Sequence, residues 1–245
     1  RSIELVSWYI TEVGIKMDIF NNGSLTTVLE HLANPVVQKY NWGGKDREPA
    51  IWKKATTASI DILRVCVPYV ESQYAESAQG SEVERFWRCV VDIARGIVSA
   101  TNCRELGIPT TTIQADEEFD VSAFRTLKSL IIPALGSAPV PDQLRRDFAC
   151  ALLRWSLIYP PQPRTEPSIE AFEKDPLGNL WKVRRGRTFE PAATARPAMA
   201  YVLIDTMFDL SSRAEGASNN DPRIVLARCI LPYLILRAAL PLKAY

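Results

Sequence analysis

The chain has 245 residues, 47% of them hydrophobic and 23% charged, with 29 Lys plus Arg against 28 Asp plus Glu. A globule of this size buries about 70–75% of its unfolded surface and folds without a disulfide or metal. The balance excludes collagen, disorder, an acidic tail protein and a globally basic nucleic-acid binder.

Strand signals are nearly absent and helical periodicity runs through most of the chain. The first predicted helix spans Ser2 to Ile19 and ends at Asn21-Asn22-Gly23. Ser24 is placed to cap the second, whose stripe is Leu25, Val28, Leu29 and Leu32 before Asn34-Pro35 breaks or kinks it. A loop at Asn41 to Asp46 precedes a helix opening near Pro49, with Ile51, Ala55, Ala58, Ile62 and Val65 on one face. Trp52, Leu63, Cys66 and Val70 widen that face. Ser81 and Glu84 have the spacing of a capping box, before a stripe of Val83, Phe86, Trp87, Val90, Ala94 and Ile97.

A polar, acidic loop is expected to reach Asp120, with Asp116, Glu117 and Glu118 as a negative lead-in and Asp120 as cap. The next helix carries Val121, Phe124, Leu127, Ile131 and Leu135. Pro139 and Pro141 separate it from another with Leu144, Phe148, Ala151, Leu152 and Trp155. Residues 159–191 hold Pro160, Pro161, Pro163, Pro167 and Pro176, show little periodicity and read as a mobile insertion. Two more helices follow, Ala193 to Ser211 and Pro222, capped by Asp221, to the end. Trp8, Trp52, Trp87 and Trp155 lie on or beside apolar faces and are assigned to the core.

Sequential amphipathic helices joined mostly by short loops predict an all-α, HEAT/armadillo-like helical array, an α-solenoid, as one domain over 1–245. Pro68, Pro133 and Pro232 each stand between apolar neighbours late in a helix, where proline bends the axis. The chain does not begin with Met and stops inside a helical pattern, so a fragment of a larger protein is expected. The longest apolar run, Cys229 to Leu236, is far short of the roughly 20 residues of a spanning helix.

The chemical inventory is thin. Five cysteines, Cys66, Cys89, Cys103, Cys150 and Cys229, are scattered and mostly inside apolar stretches, which reads as a reducing compartment. His31 is the single histidine, so neither a usual zinc site nor a broad choice of nucleophile–base pairs is available. Gly43-Gly44-Lys45 lacks the phosphate-loop spacing and reads as a turn. No Gly-x-Ser-x-Gly elbow and no Gly-x-Gly-x-x-Gly fingerprint occurs. We therefore expect no catalytic residue, no metal and no cofactor. The run Trp181-Lys182-Val183-Arg184-Arg185-Gly186-Arg187 has four positive charges, no acid and one tryptophan. Trp181, Lys182, Arg184, Arg185 and Arg187 are the candidate contact to an anionic membrane or an acidic partner. Nothing else basic reinforces this run, so nucleic acid is not an expected partner.

Several segments in order carry a family resemblance. Ile51-Trp52-Lys53-Lys54-Ala55 opens a helix ending in Val65-Cys66-Val67-Pro68. Phe119-Asp120-Val121, Leu130 to Leu135, Val140-Pro141 with Leu144, and Leu226 to Pro232 follow. This order resembles the C-terminal region of the Mon-two (monensin-sensitivity protein) family, large relatives of the Arf guanine-nucleotide exchange factors without their exchange domain. The resemblance implies HEAT/armadillo-like repeats, a cytosolic place as a peripheral protein on trans-Golgi and endosomal membranes, and no enzyme activity. It implies a scaffold or adaptor role in protein transport and vesicle trafficking. By the same resemblance the partners are a Dopey protein, a phospholipid flippase and an Arf-like GTPase. The alternative is the C-terminal regulatory region of a true Arf exchange factor, and a helical enzyme is more distant.

Overall fold

A computed structural model describes residues 2–13, 22–39, 51–73, 81–99, 109–136, 140–156 and 196–212. All seven elements within them are helices: α1 (Ser2–Glu12), α2 (Ser24–Val37), α3 (Ile51–Gln73), α4 (Ser81–Val98), α5 (Thr110–Leu135), α6 (Asp142–Ser156) and α7 (Pro197–Ser212). No strand occurs among the described residues. None of these helices is long and apolar enough to cross a membrane. The Pro-rich stretch 159–191 and the helix expected from Pro222 lie outside the described residues.

The packing order is regular. α1 packs on α3, α2 on α4, α3 on α5, α4 on α6 and α5 on α7. Odd and even helices thus form two rows, joined by α2–α3, α3–α4, α4–α5 and α6–α7 contacts. One apolar core runs between the rows, with Leu29, Ile62, Leu63, Phe86, Trp87, Ile97, Phe124, Leu127 and Leu152 wholly buried. Burying each large apolar side chain contributes about 1.5–3 kcal/mol relative to leaving it in water. Phe86 and Trp87 meet edge to face, with ring centroids 5.2 Å apart.

Local sequence explains the ends of α2. Gly23 adopts φ 73°, a left-handed conformation that costs glycine little. Gly23, not Ser24, therefore occupies the cap position, and Ser24 is already helical. The turn closes instead through Asn22, whose Oδ1 accepts from the Ser24 N–H at 3.0 Å. Thr27 donates its hydroxyl back to the Gly23 carbonyl at 2.9 Å, and the Thr26 hydroxyl lies the same distance from it. Pro35 does not stop the helix; it is buried in the last turn, and α2 runs on to Val37. Where α2 crosses α4, Gly96 lets the backbones approach closely: a Cβ there would sit 2.9 Å from the Val36 carbonyl group.

Two further expectations differ from the structure. The acidic stretch before Asp120 is not a loop: α5 starts at Thr110, and Asp120 lies well inside it. Buried positions 113, 116, 117, 120, 124, 127 and 131 follow one helical face, whose first half simply happens to be acidic. Reading only apolar residues as the buried stripe therefore started the helix about three turns late. Trp8 is not core either: it is 57% exposed. Ser7 and Ile10 are the buried residues of α1, and a side chain one residue past Ser7 is turned about 100° away. Trp52 and Trp87 are buried as expected; the Trp155 side chain lies outside the described ones.

Candidate functional site

The densest polar constellation is buried where four elements meet. Lys39 follows α2, Asp120 lies in α5, and Arg196 immediately precedes α7. Their side chains are 2%, 0% and 3% exposed. Lys39 Nζ donates to Asp120 Oδ2 at 2.7 Å and to the Ile97 carbonyl at 3.0 Å. Arg196 donates from Nη2 to the same Oδ2 and from Nη1 to the Val98 carbonyl, the latter at 2.9 Å. The Lys39 ammonium also stands over the Trp52 ring, 5.0 Å from its centroid.

Helix physics accounts for this geometry. The last carbonyls of α4 have no partner within their own helix and carry the negative end of its dipole. Two cations from elsewhere in the chain reach them, and one carboxylate offsets both cations. Arg145 repeats the device with α5, donating from Nε to the Leu135 carbonyl at 2.8 Å. The N-terminus of α7 is served in the opposite sense: Glu117 Oε1 accepts from the Met199 N–H at 2.9 Å. Asp116 meets Lys53 of α3 at 2.7 Å, and Lys53 stands over the rings of Trp52 and Phe119. Asp116, Glu117 and Asp120 together tie α5 to α3, to α7 and to the end of α2.

Two atoms in the cluster have no hydrogen-bond partner, Asp120 Oδ1 and Arg196 Nε. Both belong to nearly fully buried side chains, so solvent does not reach them freely. Chemically, the arrangement fixes helices against one another; its charges are directed at backbone carbonyls and at each other.

A second polar cluster lies nearer the surface, between α2 and α4. Glu82 accepts from the Thr26 hydroxyl at 2.6 Å and from Arg85 Nη1 at 2.7 Å. Arg85 also donates from Nη2 to both oxygens of Glu30 at 3.0 Å. The Thr26 hydrogen bond, then those to Arg85, hold the Glu82 carboxyl below its usual range despite some burial. Bonding to Glu30 and Glu82 pushes Arg85 up.

The third feature is an open groove of about 590 Å³ between α1 and α3. Trp8 on one side faces a row on α3 that includes Lys54, Asp61 and Arg64.

Cys66, Cys89 and Cys150 are buried. Burial pushes the Cys66 and Cys89 thiols up to about 12, aided at Cys89 by Glu30 and Asp92, so little nucleophilic thiolate forms. His31 is exposed on α2. Among the described residues no three His, Cys, Asp or Glu side chains come together as a metal site. Trp181, Lys182, Arg184, Arg185 and Arg187 lie outside the described residues.

Sequence reasoning singled out none of the buried cluster as a unit. Its one legible signal was the i, i+1, i+4 spacing of Asp116, Glu117 and Asp120, which places all three near one helix face. Lys39 and Arg196 stand 157 positions apart just outside regular helix, where no periodicity marks them. No family model matches the chain, and no curated protein or solved structure matches it either.

Proposed function

We propose that the chain is a HEAT/armadillo-like scaffold module of the Mon-two type, acting in Golgi–endosome trafficking by binding rather than by turnover. The observation that supports the architectural part is the packing among the described helices, in which each of α1 to α4 contacts the helix two places on. Helical repeats stack in this way, and they present long surfaces rather than one deep site. The polar groups of the buried cluster support the same reading, because they are spent on helix ends.

The trafficking assignment rests on the resemblance in helix-forming segments. On that reading the module sits peripherally on trans-Golgi and endosomal membranes and meets a Dopey protein, a phospholipid flippase and an Arf-like GTPase. Lys182, Arg184, Arg185 and Arg187, beside Trp181, supply contact with anionic lipid. Each such base near an anionic surface contributes about 1 kcal/mol, screened by salt.

An affinity pull-down from Golgi-rich extract tests the reading. Enrichment of these trafficking proteins over a helical control supports it; recovery of none rejects it. Charge reversal at the four basic positions should release the chain from anionic liposomes at low salt. Unchanged liposome binding would take the basic run out of the proposal while leaving the scaffold reading in place.

A further inference from the structure

We propose that Asn22 is a site of self-modification: the Gly23 backbone nitrogen attacks its side-chain amide, and water opens the product to aspartate and isoaspartate. The inference goes beyond the scaffold reading and does not depend on it.

Asn22-Gly23 is the one Asn-Gly pair in the sequence. The attack needs an accessible side-chain amide, a main-chain nitrogen that reaches it, and room for a five-membered ring. Glycine leaves that room, having no Cβ to crowd its own nitrogen, and it takes φ 73° in the turn before α2. Asn22 is exposed, so water reaches its amide. Its Oδ1 accepts from the Ser24 N–H at 3.0 Å, which folds the side chain back along the main chain over the Gly23 nitrogen. Among the described residues the Gly23 N–H has no hydrogen-bond acceptor to hold it away.

The Ser24 N–H also acts on the electronics. Attack at the Asn22 amide carbon places negative charge on Oδ1, and a donor already aimed at that oxygen stabilises it. The positive end of the α2 dipole lies in the same place. Asn34 supplies the contrast. It is exposed as well, but Pro35 follows it, and a proline nitrogen carries no hydrogen to give up and cannot close the ring.

The bonds balance with water as the sole co-reactant. The Gly23 nitrogen bonds to Asn22 Cγ, the Cγ–Nδ2 bond breaks, and the proton from the Gly23 nitrogen leaves with Nδ2 as ammonia. Water then adds to one of the two carbonyls of the cyclic imide. Opening at Cγ restores the ordinary main chain with an aspartate. Opening at the main-chain carbonyl of residue 22 routes the chain through the side chain as isoaspartate.

The two products differ in what they do to α2. Aspartate is a good acceptor before a helix N-terminus and keeps the bond to Ser24. Isoaspartate lengthens the main chain by a methylene next to Gly23. The Gly23 carbonyl accepts from the Thr27 N–H at 3.1 Å and from the Thr27 hydroxyl at 2.9 Å, closing the first turn of α2. Glu82 stands against this glycine: a Cβ there would lie 3.3 Å from its Oε2. The added carbon therefore finds little space and opens that turn.

The test incubates the full chain at neutral pH and reads each asparagine by peptide mass spectrometry. Isoaspartate is counted by enzymatic carboxyl methylation with labelled S-adenosylmethionine. Asn22 should deamidate at least about tenfold faster than Asn34 or any other asparagine, and no slower than the same segment as a free peptide. Asn22→Gln, whose longer side chain closes a larger ring, should cut methylation by at least about tenfold with an unchanged thermal melt. Asn22→Asp supplies the aspartate product directly and should melt like wild type. In the isoaspartate fraction, separated by ion exchange, the Thr27 amide should exchange faster than in Asn22→Asp.

Deamidation at Asn22 no faster than elsewhere overturns the proposal. So does a rate well below that of the free peptide, because the fold would then shield the site. Methylation that persists in Asn22→Gln places the isoaspartate at another residue and also overturns it. Equal Thr27 exchange in the isoaspartate fraction and in Asn22→Asp overturns the opening of α2.

Discussion

The two ionic clusters use the same residue types and differ in what surrounds them. Lys39, Asp120 and Arg196 are almost wholly buried, whereas Arg85 and Glu30 are 38% and 47% exposed. A charge near water can be solvated if its partner leaves, so an exposed pair contributes little. A charge in the interior has no such alternative, and removing its partner is costly. The buried cluster also closes helix ends: its cations complete α4 through Ile97 and Val98, and Glu117 beside it completes α7. The comparison teaches that the number of ion pairs says little about which helices depend on them.

The strongest way to break the comparison is Asp120→Ala. It leaves two buried cations without their shared carboxylate, an expected loss of about 3–5 kcal/mol. For a domain of this size that lowers the melting temperature by roughly 6–20 °C, read in a thermal melt. A loss no larger than that at Glu30 would remove the distinction. The triple change Lys39→Met, Asp120→Leu and Arg196→Met sharpens it. Removing all three charges should recover much of the Asp120→Ala loss, since apolar replacement of a buried ion group is often neutral. Recovery should stop short of wild type, because the Ile97 and Val98 carbonyls then lose their donors.

Gly96→Ala asks what holds the α2–α4 seam on which the exposed cluster sits. The new Cβ would press on the Val36 backbone at 2.9 Å, and backbone yields less readily than a side chain. A cost of about 1–3 kcal/mol in a denaturant melt is expected. Glu117→Ala should cost about 0.5–2 kcal/mol, the range for losing a helix N-terminal cap. Its local signature is faster hydrogen exchange at the Met199 amide, where Glu117→Gln keeps an acceptor and loses less.

These variants also mark how far the sequence could be read. The helices around Ile62, Phe86, Phe124 and Phe148 were legible because apolar side chains recur at helical spacing. The start of α5 was not, because between Ile113 and Val121 its buried face is carried by Asp116, Glu117 and Asp120, which apolar periodicity does not mark. Trp8 misled for the converse reason: its type suggests burial, but the neighbouring Ser7 faces inward. The buried cluster was illegible because its partners are brought together by tertiary packing, with the Lys39–Asp120 contact spanning 81 positions. Sequence patterns of short range carry no record of such a meeting.

The smallest expected effects belong to the exposed cluster, and pH separates its parts. Glu82 is held below its ordinary range, so its contribution is present at neutral pH and disappears as pH falls through its folded value. Thr26→Val removes the leading cause and should shift that loss toward higher pH. Asp92, on the same helix, has the opposite sign: burial pushes its carboxyl up, so the fold disfavours its charge. Asp92→Asn should therefore stabilise near neutral pH, an advantage that fades as acid protonates the wild-type side chain. Glu30→Gln completes the series. It removes one carboxylate from Arg85 but leaves Glu82 in place at 2.7 Å, and both partners remain open to water. Its change in a thermal melt should be too small to resolve and should shrink further in high salt, since screening acts on exposed pairs first. A large, salt-insensitive loss at Glu30 would mean that the α2–α4 seam relies on this pair as the interior relies on Asp120.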